Sequence, residues 1–85
     1  SLVAYEKIRT TNKAQTRLIE IIHDEIEGKN VILFIVYTNN EEKALEIKQQ
    51  ILQSRPDITI DIVPLTPVVG AHAGPGTLGV GYIVI

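Results

Sequence analysis

The sequence predicts a layered α/β domain, β-α-β-α-β-α-β in order, around a small mixed or mostly parallel sheet. Three observations predict it. Val31 to Tyr37 is an unbroken apolar run, the mark of a strand covered on both faces. Stretches with apolar residues at helical spacing flank that run on both sides. Finally, five of the six glycines and three of the four prolines crowd between Pro64 and Gly81, just before a last apolar run.

The first strand is expected from Leu2 towards Thr10. Its faces are mixed, with Leu2, Ala4, Glu6 and Ile8 on one and Val3, Tyr5, Lys7 and Arg9 on the other. Its far end therefore leaves the core and carries charge outward. Thr10-Thr11-Asn12 supplies cap residues for a helix from about Lys13 to Glu27. Ala14, Leu18, Ile21, Ile22 and Ile26 form its apolar stripe, Lys13, Arg17, Glu20, Asp24 and Glu27 face water, and Gly28 ends it. His23 reads as solvated.

After the Val31–Tyr37 strand, Thr38-Asn39-Asn40 caps a second helix and Glu41-Glu42 complement its N-terminal dipole. Ala44, Leu45, Ile47, Lys48, Ile51 and Leu52 make its buried stripe, and Arg55-Pro56-Asp57 breaks it. Ile58, Ile60 and Ile62 alternate with Thr59, Asp61 and Val63, as a half-exposed strand near an edge does. The β-α-β of residues 31 to 63 implies a right-handed parallel crossover, whereas the first and last strands can run either way.

Thr66-Pro67 reads as the start of a short helix, a hydroxyl at the N-cap followed by proline where its missing N–H costs nothing. Val68, Val69 and Ala71 bury one side of it. Gly74 ends it, Pro75 forbids continuation, and Gly76 turns the chain into a last strand from Leu78 to Ile85. His72 falls in its last turn, beside a loop free of bulky side chains.

Composition narrows the function. The 85 residues make one domain, 45% hydrophobic and 21% charged, which suits a globular core. A net charge of −2 without a basic run speaks against nucleic acid, as do only four aromatic residues. There is no cysteine, and His23 and His72 lack ligand-like spacing, so neither a disulfide framework nor a metal site is expected. No apolar run approaches the ~20 residues of a membrane span, and no signal peptide opens the chain. A soluble cytoplasmic protein is expected. Ser1 stands where a start methionine would, and strand residues follow at once, so the chain reads as a piece of something longer.

Three residue groups carry candidate chemistry. Phosphate-cradling loops run from strand into helix, but here the glycines run from helix into strand without Gly-Lys-Ser/Thr, so the plain reading is a rigid turn. His72 is either a helix-dipole partner or a donor to a carboxylate or phosphate held over Gly74 and Gly76. Arg9 is either a surface arginine or a bidentate partner for the same anion. Ser1 is terminal, Ser54 closes a helix, and Asp57 and Asp61 lack paired geometry, so a complete active site is not expected and no cofactor is implied.

Pro67-Val68-Val69-Gly70-Ala71-His72-Ala73-Gly74-Pro75-Gly76-Thr77-Leu78-Gly79-Val80-Gly81-Tyr82 resembles the C-terminal end of the DegV family of bacterial fatty-acid-binding proteins, which typically carries His-x-Gly-Pro-Gly before a small apolar strand. Tyr5-Glu6-Lys7-Ile8-Arg9-Thr10 resembles the start of that family's C-terminal domain. Alanine flanks His72 on both sides where threonine is common in such proteins. The resemblance implies a lipid-binding module rather than an enzyme, the C-terminal half of a two-domain chain whose N-terminal domain is missing. It implies a long-chain fatty acid as ligand and a fatty-acid kinase as partner, with the carboxylate presented for phosphorylation. His72 would then lie at the acyl carboxyl end, Arg9 would help there or meet the kinase, and an apolar cavity would lead away from His72. The alternative is a small-molecule or nucleotide-handling subdomain of an enzyme, with His72 as acid or base; a plain oligomerisation domain is a third reading.

Overall fold

The computed structural model describes residues 2–4, 8–9, 12–65 and 77–85, with side chains from residue 13 on. Its elements are β1 (Leu2–Ala4), β2 (Ile8–Arg9), α1 (Asn12–Ile26), β3 (Val31–Tyr37), α2 (Glu41–Ser54), β4 (Thr59–Pro64) and β5 (Thr77–Val84). They build an α/β domain on one mixed sheet, ordered β1-β5-β3-β4, with β2 also pairing β5.

The central β3–β4 pair is parallel, Leu33 opposite Ile60 and Ile35 opposite Ile62, as the β-α-β pattern requires. β4 lies at an edge, matching its alternating sequence. The last strand runs antiparallel to β3 and inserts between it and the N-terminal strands. Among the described residues only one ladder is parallel, so the mixed alternative holds and the mostly parallel one does not. In place of one strand from Leu2 towards Thr10, two short strands pair successive parts of β5, Val3 opposite Tyr82 and Ile8 opposite Leu78. The expected short helix from Thr66 to Gly74 lies outside the described residues.

α1 starts and stops within one residue of expectation, and Gly28 takes φ +72° in the turn that follows. That left-handed conformation is where a side chain would clash with its own carbonyl. Asn40 caps α2, its Oδ1 accepting from the Lys43 N–H at 3.2 Å. Asn39 tolerates φ +53° in the link before it, as asparagine does better than most residues.

Both crossovers step the same way across the sheet, which under the right-handed rule puts both helices on one face. They meet there: the Gln15 amide nitrogen on α1 donates to Glu46 Oε2 on α2 at 3.2 Å. Beneath them lies one core, in which Leu18, Ile22 and Ile26 of α1 and Ala44, Ile47 and Ile51 of α2 cover Val31, Leu33 and Ile35. Ile60, Leu78, Val80 and Tyr82 complete it from the flanking strands. Among the described residues, α1 and α2 thus cover one of the two faces of β3 that its apolar run expects to be covered. Ile32, Phe34 and Val36 point to the other face and remain half-buried. In α2 the buried stripe is narrower than its sequence suggested, because Leu45 turns outward, 42% exposed. Among the described residues no helix is long and apolar enough to cross a membrane.

Candidate functional site

Strands β2, β3 and β4 all point their C-terminal ends to one edge of the sheet, the edge at which open α/β sheets receive ligands. Leu65 and Thr77, which flank the proline- and glycine-rich segment 66–76, both lie there. At its entry, Leu65 N–H donates to the Tyr37 carbonyl at 3.0 Å. At its exit, Thr77 N–H donates to Thr38 Oγ1 at 3.0 Å and the Thr77 carbonyl accepts from Thr38 N–H at 3.0 Å. Tyr37 and Thr38 at the end of β3 thus hold both ends of the segment. Thr38 is 7% exposed, so its hydroxyl works away from bulk water, where a backbone N–H left unpaired would be costly.

Arg9 pairs in register with Thr77, so the backbone of β2 runs beside the segment's exit. The structure therefore brings the strand of Arg9 beside Thr77, the first described residue after the segment. His72, Gly74 and Gly76, with the apolar cavity expected beside His72, lie outside the described residues. The α2 N-terminus opens at the same edge, but Asn40 Oδ1 takes up the Lys43 amide and Glu41 and Glu42 stand in its first turn. Those two carboxylates repel an anion from that helix end.

The opposite edge is built differently. A groove there, lined by His23, Asp24, Glu27, Lys29, Arg55 and Asp57 among others, is polar and open to solvent. His23 is half-buried in it rather than fully solvated. Arg55 organises this end: Nη1 donates to the Ile26 carbonyl at 2.8 Å and Nη2 to the Lys29 carbonyl at 2.7 Å. Its Nε and Nη2 each donate to the Asp57 carboxylate at 3.0 Å. Those bonds hold the Asp57 carboxyl below the usual range and raise the Arg55 guanidinium further. The guanidinium thereby ties the end of α1 and the turn after it to the start of β4, a structural task that takes four of its five N–H donors.

Sequence reasoning missed both Thr38 and Arg55. Thr38 read as one of three cap residues, and Arg55 as part of a helix breaker. The signal for Thr38 was its position directly after the apolar run, where the sheet edge needs an acceptor. Arg55 had no signal for its bridging role, since the carbonyls it binds at residues 26 and 29 are distant in sequence and Asp57 alone is near.

A family model described as "Uncharacterised protein, DegV family" matches residues 1–84. A DegV domain-containing protein of Streptococcus pneumoniae is 35% identical over 79 residues, covering 93% of this chain and 28% of the relative. A crystal structure of a fatty acid binding DegV family protein from Streptococcus agalactiae superposes with a TM-score of 0.76 at 27% identity, over 92% of this chain and 28% of that one. A Thermotoga maritima protein whose structure is described as revealing a fatty acid binding function gives 0.69 at 30% identity, over 95% and 30%. The chain thus spans under a third of the length of the relatives it matches. On the family match and the shared fold together, this chain belongs to the DegV family.

Proposed function

We propose that the chain is a lipid-binding module, the C-terminal part of a two-domain DegV carrier that holds a long-chain fatty acid and offers its carboxylate to a fatty-acid kinase. The observation that carries this reading is the match of almost the whole chain to the family, with fatty-acid-binding neighbours at 27% and 30% identity. The sheet edge described above supports it physically. A carboxylate entering an apolar site loses its hydration, and a guanidinium and an imidazole restore the lost stabilisation by charge-assisted hydrogen bonds. Arg9 and His72 take those roles. Gly74 and Gly76 let the backbone approach the head group, and the rest of the DegV chain closes the site.

In this reading the chain binds and presents and does not itself catalyse, and its work is in the bacterial cytoplasm. The phosphoryl acceptor is the carboxylate oxygen, so Arg9 must hold the head group while leaving one oxygen open to the kinase.

The test is extraction and mass spectrometry of a full-length DegV chain carrying these residues, purified from bacteria. The expected result is bound long-chain carboxylic acid, depleted in the Arg9→Ala and His72→Ala variants. Adding kinase and ATP is expected to yield the acyl phosphate. A folded chain that arrives empty and fails to take up added oleate would end the reading.

A further inference from the structure

Among the described residues one face of the sheet carries no helix, and that uncovered face is apolar along its middle. Ile32, Phe34 and Val36 of β3 share it with Val63 of β4 and Ile83 of β5, which are 40% and 37% exposed. Across from Phe34 and Val36 stand Gly81 and Gly79, so β5 presents backbone where side chains would otherwise rise. The result is a trough walled by the β3 side chains and floored by the glycines. A sheet face made to meet water alternates polar residues into such positions, and β4 does so with Thr59 and Asp61, both exposed. β3 does not.

We infer that this face is a packing surface, and that its occupant is the apolar side of a helix from the part of a DegV chain outside these 85 residues. Two observations select that occupant. The chain spans 28% of its curated relative, leaving about 72% of that length to supply a cover. The dimensions also fit: seven strand residues at ~3.3 Å run roughly 23 Å, and the β3–β5 strip is about one helix diameter wide. That strip offers roughly 220 Å², well short of the ~800 Å² per partner that a stable dimer needs. A second copy of the chain is therefore the poorer fit. The inference rests on family membership and is independent of the fatty-acid reading.

Carbene footprinting of a delipidated full-length DegV chain carrying these residues tests it, with the urea-unfolded chain as the reference for intrinsic labelling. Ile83 and Val63 are 37% and 40% exposed here, so an uncovered face labels them at about that share of the unfolded value. A covered face labels Phe34, Val63 and Ile83 at about a tenth or less, at every protein concentration and without lipid. Labelling at a third or more overturns the inference. So does protection that grows with protein concentration, which assigns the face to a second copy. Protection that appears only on adding oleate assigns it to the lipid, and overturns the inference equally.

Discussion

Thr38 and Thr77 hold each other twice: the Thr77 N–H donates to the Thr38 hydroxyl, and the Thr38 N–H donates to the Thr77 carbonyl, both at 3.0 Å. The pair fixes the point at which residues 66–76 return to the sheet, in register with Arg9. Replacing Thr38 with valine keeps the shape and removes the acceptor. The expected cost is about 1–3 kcal/mol, that of an amide deprived of a buried partner, measured by denaturant unfolding. Serine at the same position restores the bond and should recover most of the loss. If valine proves neutral, the hydroxyl is not what docks the segment.

Gly28 separates backbone conformation from packing. Its φ is +72°, and a Cβ added there meets nothing within 4 Å. Gly28→Ala should therefore cost about 1–2 kcal/mol through the left-handed conformation alone. Gly28→Asn should cost less, because asparagine enters that region more readily. Equal costs for the two variants would contradict a purely conformational origin.

Gly79 reports the opposite situation, a close approach without unusual dihedrals. A Cβ there would lie 3.0 Å from Val36 Cγ2 on the uncovered face. Valine is stiff at χ1, so the neighbour yields only by leaving its rotamer. Gly79→Val should destabilise by about 1–3 kcal/mol, and pairing it with Val36→Ala should recover part of that, a coupling that a double-mutant cycle measures.

The Arg55–Asp57 pair predicts a pH dependence. The folded-state pKa of Asp57 is lowered, chiefly by the hydrogen bonds from Arg55. The carboxylate therefore contributes stability above its unfolded pKa, and that contribution is lost as pH falls through the lower folded value. Asp57→Asn should flatten the acid limb of a stability–pH profile by removing at neutral pH the contribution that the carboxylate loses in acid, a difference that high salt narrows. Arg55→Lys should fail to replace arginine, because one ammonium cannot reach two carbonyls and a carboxylate in a planar fork.

Legibility in the sequence followed the range of the interactions. α1, β3, α2 and β4 were readable because local periodicity, cap residues and Gly28 all act within a few residues. β5 was readable as a strand but not as an antiparallel insertion, since its glycines accept either direction and its partners Val3, Ile8 and Leu33 are remote. Uninterrupted apolarity in β3 suggested cover on both faces, and α1 and α2 supply it on one. The candidate residues Arg9, His72, Gly74 and Gly76 were chosen by residue type and motif. Of these, the fold places the strand of Arg9 beside the Thr77 end of the segment, while Thr38 emerged only from the three-dimensional pairing.

The most direct measurement is an amide NMR titration of a full-length DegV chain carrying these residues with a long-chain fatty acid below its micelle concentration. The expected result is saturable shifts centred on Arg9, Thr38, His72, Gly74 and Gly76, weakened about tenfold or more in affinity by Arg9→Ala, the scale of one charge-assisted hydrogen bond. A well-folded spectrum unchanged by the lipid, or shifts confined to residues far from Thr38 and Thr77, would contradict fatty-acid binding at this edge.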